Sequence, residues 1–210
     1  MTFSRREFLL ASSALAVAAT VLPGQAFAET ADVSELMKPV PLGDMAEGKP
    51  DAPVTVIEYA SFTCSHCAHF HETTYPEFKK KFIDTGKVYF IFREFPLDAV
   101  ATAAAMLART APKDKYFDIV STLFAEQRTW AFTKDPYNSL ATFAKQIGFT
   151  QEAFDAALSN QKILDGIYAG REDAEKKFGV NATPTFFVNG EKHPGALTLD
   201  EMSDLIKAKS

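Results

Sequence analysis

The sequence predicts an α/β protein in which a block of helices interrupts a small mixed β-sheet. Runs of β-branched and aromatic residues at 54–60 and 87–95 are typical of buried strands. From residue 98 to residue 178 the apolar residues recur at helical spacing, and a further strand is predicted at 185–188. Strands separated by a long run of helices favour a mixed sheet that carries a helical subdomain.

The segments around the first strand predict how it is connected. Residues 48–53 are rich in Gly, Pro and Asp, which is typical of a turn, and residues 39–45 predict a short edge strand before it. After the strand, residues 64–84 predict one long helix. Pro76 is expected to kink this helix, because proline removes one helix hydrogen bond and its ring clashes with the preceding turn.

The helical block is predicted from caps and from apolar spacing. Asp135 followed by Pro136 is typical of a helix start, and Thr150 can cap the next helix. One helix therefore begins at residue 136, and others are predicted at residues 98–109, 114–127, 151–158 and 162–178.

The chain ends in a predicted strand pair and a helix. Asn189-Gly190 predicts a two-residue type I′ hairpin, with residues 191–193 as the return strand. Thr198 and Glu201 have the spacing of a capping box, in which each side chain bonds to the backbone N–H of the other residue. The last helix is therefore expected to begin there.

The two cysteines of the chain, Cys64 and Cys67, directly follow the first strand. A C-x-x-C motif at a strand-to-helix turn is typical of a thiol–disulfide site. The free N–H groups and the positive dipole end of a helix start stabilise an anion, so Cys64 is predicted to be a nucleophilic thiolate. Cys67, one turn further, shares an apolar stripe with Phe70 and is predicted to be the buried resolving thiol.

Two other uses of the cysteines are less favoured. Cys64, Cys67 and His71 could share one helix face, but tetrahedral zinc needs four ligands and the chain has no second cysteine pair. A structural disulfide would close a loop of only a few residues and constrain little of the unfolded chain. We therefore predict a redox-active pair that needs neither a metal nor a cofactor.

Residues 1–28 predict a secretory signal peptide that is cleaved near Ala28. A basic start precedes an apolar run at 8–22, and the last three residues fit an A-x-A cleavage site. A transmembrane anchor is the alternative, but the run is short for a bilayer and Pro23-Gly24 breaks it. The start also resembles a twin-arginine signal, which leaves the export route open.

The charge and composition exclude several classes of function. The formal net charge is −5, and it becomes −6 when residues 1–28, with two Arg and one Glu, are removed. A mildly acidic chain lacks the basic surface that nucleic acid requires, so no nucleic-acid partner is expected. Two cysteines cannot form the disulfide framework of a small secreted domain. The remaining chain is long enough for one hydrophobic core, and a monomer is expected.

Two motifs and the helical block between them resemble the DsbA family of thioredoxin-fold oxidoreductases. The motifs are Glu58-Tyr-Ala-Ser-Phe-Thr-Cys-Ser-His-Cys67 and Ala182-Thr-Pro-Thr-Phe-Phe-Val-Asn-Gly190, and the resemblance spans residues 40–208. It implies a thioredoxin-like mixed sheet with an inserted all-helical subdomain. The expected boundaries are a signal peptide at 1–28, a flexible N-terminus at 29–38, a thioredoxin-like domain at 39–97 and 179–210, and a helical insertion at 98–178.

The resemblance also implies a function. Members of this family are periplasmic enzymes that pass their own disulfide to substrate proteins, here the Cys64–Cys67 disulfide, through a mixed disulfide on Cys64. The implied partners are unfolded or newly exported cysteine-containing proteins and a quinone-linked membrane re-oxidant of DsbB type. An isomerase or reductase of the same fold is the first alternative. A chaperone module that binds peptides without redox chemistry is the second.

Further site residues follow from the resemblance. Pro184, preceded by Thr183, is implied to be cis and to lie against the cysteine pair. The family's commonest strongly oxidising dipeptide is Pro-His, and this chain has Ser65 with His66. A partly protonated His66 near the helix start would favour the Cys64 thiolate. Its alternative is a surface histidine without a role.

Glu58 is the charged residue of the first strand, six positions before Cys64. It resembles the acid that lies beneath the cysteines in this fold. There it would pass a proton to or from Cys67 through water, as a general acid–base catalyst. The alternative is a side chain that points to solvent at a strand edge, because a buried carboxylate is expensive.

Overall fold

The computed structural model describes residues 31–209 and confirms the predicted fold class, a mixed sheet with an inserted helical subdomain. The strands are β1 (Met45–Glu47), β2 (Val54–Ala60), β3 (Val88–Glu94), β4 (Thr185–Val188) and β5 (Glu191–Pro194). The helices are α1 (Val33–Leu36), α2 (Ser65–Thr73), α3 (Tyr75–Phe78), α4 (Ala99–Thr110), α5 (Tyr116–Ala125), α6 (Gln127–Trp130), α7 (Pro136–Gln146), α8 (Gln151–Leu158), α9 (Gln161–Phe178) and α10 (Leu199–Lys207).

The five strands form one sheet in the order β1-β3-β2-β4-β5. The central strand β2 pairs in parallel with β3 and antiparallel with β4, and β1 and β5 close the two edges in antiparallel pairs. Six of the seven residues of β2 are buried. The end of this buried strand delivers the chain to Cys64 at the start of α2.

The two faces of the sheet pack against different cores. Alternate residues of a strand point to opposite faces, and Val54, Val56 and Ala60 of β2 join the larger core with α2, α5 and the helical block. Ile57 and Tyr59 point the other way, into a smaller core that includes α9 residues. Glu58 lies between Val56 and Ala60 in the alternation, so its carboxylate enters the larger core beneath α2.

A buried ionic group joins the sheet to the helical block. Arg109 of α4 makes two hydrogen bonds to the Glu94 carboxylate of β3, at 2.5 and 2.6 Å. The Tyr116 hydroxyl of α5 donates to the same carboxylate at 2.5 Å. All three side chains are buried, so the charge of the Glu94 carboxylate is stabilised by these two partners and not by water.

The predicted long helix at 64–84 is interrupted. Helix α2 ends at Thr73, α3 begins at Tyr75, and a π-helical segment, Lys79–Ile83, follows. The break, at Thr74, falls two residues before Pro76, whose nitrogen carries no hydrogen and whose ring would clash with the carbonyl four residues earlier. Proline therefore ends one helix and begins another, where a kink within one helix was expected.

One N-terminal expectation changes. The edge strand predicted at 39–45 forms at Met45–Glu47, where three residues pair with β3. Earlier in the chain, residues 33–36 form α1, capped by the Asp32 carboxylate. Leu36 is only 1% exposed, because it packs into the smaller core. The predicted signal peptide at 1–28 lies outside the described residues.

No helix within residues 31–209 is both long enough and apolar enough to cross a bilayer.

Candidate active site

Cys64 occupies the cap position of α2. Its backbone is extended, with φ −81° and ψ 118°, and its sulfur accepts a hydrogen bond from the Cys67 N–H at 3.4 Å. A side chain at this position normally satisfies one of the free N–H groups of the first helical turn with an oxygen. Here a sulfur takes that place, so negative charge on the sulfur is stabilised by the helix start.

The pKa of Cys64 falls to about 5. The largest cause is the hydrogen bond from the Cys67 side chain, which outweighs the opposing effect of burial, and the backbone N–H groups of Cys67 and His66 add to it. Such a thiol is largely ionised at neutral pH, and the thiolate is the nucleophilic form. The Cys64 side chain can therefore attack a disulfide or leave from one.

Cys67 has the opposite environment. Its side chain is fully buried, whereas Cys64 keeps 8% of its surface. Burial raises the pKa of the Cys67 thiol well above its ordinary value, and the hydrogen bond to Cys64 and the charge of Glu58 raise it further. Both cysteines are free thiols. The pair therefore combines one acidic, accessible sulfur with one protonated, inaccessible sulfur.

The Thr183–Pro184 peptide bond is cis and lies beside Cys64. The Thr183 carbonyl oxygen lies 3.2 Å from the Cys64 sulfur and accepts a hydrogen bond from it while the thiol is protonated. A hydrogen bond from the Thr183 side chain is also among the causes that lower the pKa of Cys64. The backbone before β4 thus lies against the sulfur at the mouth of the site.

Ser65 and His66 form the first residues of α2, and both side chains are exposed. The contribution of His66 to the lowered pKa of Cys64 comes from its backbone N–H. The geometry therefore brings the His66 main chain to the sulfur and places its imidazole toward solvent.

Glu58 lies inside the protein, contrary to the alternative of a solvent-facing strand residue. It is fully buried, and its Oε2 is 2.9 Å from Nε2 of His71 on α2. The His71 ring stacks on Phe124, with centroids 4.4 Å apart, and meets Phe92 edge-on at 5.8 Å. A carboxylate and an imidazole therefore share an aromatic cage, and the charge of Glu58 acts on the Cys67 thiol.

Gln127, the first residue of α6, holds the backbone that leads into the motif. Its side-chain amide donates to the carbonyl of Phe62 at 2.8 Å and to the carbonyl of Cys64 at 3.0 Å. Both bonds are buried. The helical block thus fixes the position of the active-site turn through one side chain.

Comparison with known proteins identifies the family. A family model described as Thioredoxin matches residues 42–208. The crystal structure of Wolbachia pipientis alpha-DsbA1 matches with a TM-score of 0.78 and 34% identity, covering 85% of this chain and 96% of that one. This chain belongs to the DsbA family. The oxidised Bacillus subtilis BdbD shares the fold, with a TM-score of 0.71 at 24% identity over 89% of this chain and 98% of that one.

A Rickettsia conorii relative is 34% identical over 165 residues, which are 78% of this chain and 59% of the relative. Its name assigns it provisionally to the protein-disulfide oxidoreductases. The chain therefore spans about three fifths of the length of this curated relative.

This DsbA-family site contains two residues that the sequence did not single out for their observed roles. His71 was considered only as a zinc ligand, and its contact is Glu58. Gln127 gave no signal, because a glutamine at the end of a helical pattern is ordinary. Within residues 31–209, no group of three or more His, Cys, Asp or Glu side chains is arranged to hold a metal ion.

Proposed function

We propose that this protein is a thiol:disulfide oxidase that donates its Cys64–Cys67 disulfide to exported proteins containing reduced cysteines. The observation that supports the proposal is the unlike environment of the two sulfurs. A pKa of about 5 makes Cys64 a stable leaving group, and burial keeps Cys67 from partners. An enzyme that stabilises its thiolate in this way favours its own reduced form, which makes its disulfide oxidising.

In the proposed reaction, a substrate thiolate attacks the Cys64 sulfur and the Cys64–Cys67 bond breaks. Cys67 leaves as a thiolate and takes up a proton, and the substrate stays joined to Cys64 as a mixed disulfide. A second substrate thiolate then attacks the substrate sulfur of that bond and releases the Cys64 thiolate. Two electrons pass from the substrate to the enzyme, and the substrate gains a disulfide.

The surrounding residues take supporting roles in this proposal. Glu58, buried beneath the motif, exchanges the proton of Cys67 through water. The backbone at Thr183 and Pro184 offers a place where an extended substrate segment pairs beside Cys64. Ser65 and His66 begin α2, and the His66 imidazole adds positive charge near the sulfur when it is protonated.

The proposed cycle needs partners on both sides. Unfolded or newly exported cysteine-containing proteins supply electrons, and a quinone-linked membrane re-oxidant of DsbB type removes them. The protein works as a monomer in the periplasm after cleavage of residues 1–28. No cofactor takes part, because the cysteines themselves carry the electrons.

The test mixes the oxidised protein with a reduced, unfolded protein that contains two cysteines. Cys64→Ala is expected to abolish disulfide transfer, because it removes the sulfur that partners reach. Reduced Cys67→Ala, mixed instead with the same substrate in its disulfide form, is expected to accumulate mixed disulfides, since its Cys64 thiolate attacks the substrate disulfide and the resolving thiol is missing. Trapping by acid and mass spectrometry shows which species forms. Disulfide transfer by the Cys64→Ala variant would refute the assignment.

The reduction potential separates an oxidase from the isomerase and reductase alternatives. A strong dithiol oxidant lies near about −120 mV and a dithiol reductant near about −270 mV. We expect equilibration with glutathione to give a value nearer the oxidant. Two results together would favour the chaperone alternative. A variant without both cysteines would still bind unfolded protein, and the wild-type protein would transfer no disulfide.

A further inference from the structure

The Glu58–His71 pair contains more hydrogen-bonding capacity than it uses. Nε2 of His71 and Oε2 of Glu58 satisfy each other at 2.9 Å. The other atom of each side chain, Oε1 of Glu58 and Nδ1 of His71, is buried and has no hydrogen-bond partner. A buried carboxylate oxygen without a partner is costly, so a structure that retains one invites a functional explanation.

The surroundings of the pair leave His71 as the group that holds Glu58. Phe92 from β3 and Phe124 from α5 offer only aromatic surface to the imidazole. Tyr75 of α3 packs its ring 4.8 Å from that of His71, but its hydroxyl donates to Glu47. Among residues 31–209, His71 makes the hydrogen bond that the Glu58 side chain receives.

The remaining titratable groups near the pair act through charge. Cys67, one helical turn before His71, is affected by the charge of Glu58. The hydroxyls of Tyr75 and Tyr116 are affected by the same charge, and burial is the largest cause of the raised pKa of each. These hydroxyls stay protonated at neutral pH, so they do not exchange protons with the carboxylate.

We propose that His71 is a positioning residue for proton exchange at Cys67. Its hydrogen bond to Oε2 fixes the orientation of the Glu58 carboxylate and leaves Oε1 free to exchange the proton of Cys67, directly or through a water molecule. The inference rests on the proposed role of Glu58, and it adds a second residue through which that role is exercised.

The step in question is the closure of the enzyme disulfide. Glutathione disulfide is a suitable probe, because the Cys64 thiolate attacks it, releases one glutathione thiolate and forms a mixed disulfide. The Cys67 thiol then gives its proton to Glu58 and attacks the Cys64 sulfur. The second glutathione leaves as a thiolate, and the protein has lost two electrons to the probe. Glu58 returns the proton to water.

Four variants isolate the role of His71 in this step. His71→Phe keeps a ring against Phe124 and removes the hydrogen bond, and His71→Gln keeps a donor at the place of Nε2 without an imidazole. Glu58→Gln removes the proton acceptor. His69→Gln is the matched control, because the same substitution is made on an exposed side chain of the same helix. Rapid acid quenching and mass spectrometry measure formation and closure of the mixed disulfide separately.

We expect His71→Phe to slow closure about tenfold or more, so that the mixed disulfide accumulates, while its formation stays within about twofold of the wild-type rate. His71→Gln is expected to recover most of the closure rate, and His69→Gln to leave it unchanged. If His71 had only a structural role, its replacement would slow formation and closure of the mixed disulfide alike. Wild-type closure in His71→Phe, or closure in His71→Gln as slow as in His71→Phe, would overturn the proposal.

A double variant keeps the test decisive if His71→Phe does not fold because Glu58 loses its partner. The variant His71→Phe with Glu58→Gln carries no unpaired charge. It is expected to close its disulfide as slowly as Glu58→Gln alone, because His71 acts through Glu58. A further tenfold loss would show an independent action and refute the proposal. The reaction with glutathione disulfide needs no protein substrate, so its result stands even if the protein is not an oxidase.

Discussion

The Cys64 sulfur is both the cap of helix α2 and the reactive atom of the site. It accepts the hydrogen bond that caps α2, and the negative charge it gains on ionisation meets the positive end of that helix. The neighbouring sulfur contributes most, because the Cys67 thiol donates to Cys64. The acidity of one cysteine is therefore partly a property of the other.

This arrangement predicts the pH dependence of alkylation. The rate at which iodoacetamide labels Cys64 is expected to be half-maximal near pH 5, the value of its pKa, whereas a free cysteine titrates near about 8.5. In Cys67→Ala the midpoint should move to higher pH, because the largest cause of the lowered pKa is removed. Mass spectrometry of the labelled peptides gives both midpoints. Equal midpoints in the two proteins would contradict the assigned cause.

At the residue scale, local sequence revealed the chemistry but not the contacts that support it. The C-x-x-C spacing and its place after a strand pointed to both cysteines, and the isolated charge in β2 pointed to Glu58. The pairing of Glu58 with His71 depends on how far α2 rotates over the sheet. The contact of Gln127 with the Cys64 carbonyl spans 63 residues of chain. Neither contact can be recognised from the residues that neighbour it in the sequence.

At the element scale, short helices carry specific contacts. Helix α6 has four residues, and its first side chain, Gln127, supplies a donor to two buried carbonyls. A break between α5 and α6 lets this side chain turn toward the active-site loop. The sequence predicted one helix to residue 127, because the apolar spacing continues across the break.

We expect Gln127→Ala to destabilise the protein by about 1–3 kcal/mol, since two buried carbonyls lose a donor. For a chain of this size each kcal/mol corresponds to about 2–4 °C in the midpoint of thermal unfolding. Gln146→Ala is the control, because that glutamine is exposed at the end of α7. Calorimetry of the three proteins compares their midpoints. Equal midpoints would show that water replaces the amide without cost.

Elements with a strong local code were predicted well. The hairpin between β4 and β5 has positive φ at Asn189 and Gly190, 46° and 87°, as the type I′ turn requires. The capping box of Thr198 and Glu201 forms in full. The edge strand β1 was misplaced, because three residues are too few to show an alternating pattern and their pairing with β3 decides their position.

At the scale of the whole molecule, the thiolate links redox state to stability. Only the reduced protein has a Cys64 thiol that ionises, and folding lowers its pKa from about 8.5 to about 5. A depressed pKa stabilises the folded state fully above the unfolded pKa, and this stabilisation is lost as pH falls through the folded pKa. Between pH 7.5 and pH 4 the reduced form should therefore lose stability that the oxidised form never had.

The expected size of this effect is about 3 kcal/mol, or about 2 kcal/mol after allowance for solvent screening of the partly exposed sulfur. Urea unfolding of both redox forms at the two pH values measures it. Other titrating groups are present in both forms and largely cancel in the difference. A difference in unfolding free energy that does not change with pH would contradict the lowered pKa of Cys64.

Burial of Cys67 also determines how partners share the protein. Since Cys64 keeps the accessible sulfur of the pair, a molecule that gives electrons and a molecule that removes them must dock at the same atom. The two partners cannot bind at Cys64 at the same time, so no ternary complex of enzyme, electron donor and electron acceptor can react. Each partner in excess therefore acts as a competitive inhibitor of the other. At low concentrations of both partners, steady-state turnover should follow ping-pong kinetics, with parallel lines in a double-reciprocal plot, and an excess of either partner should make the lines converge.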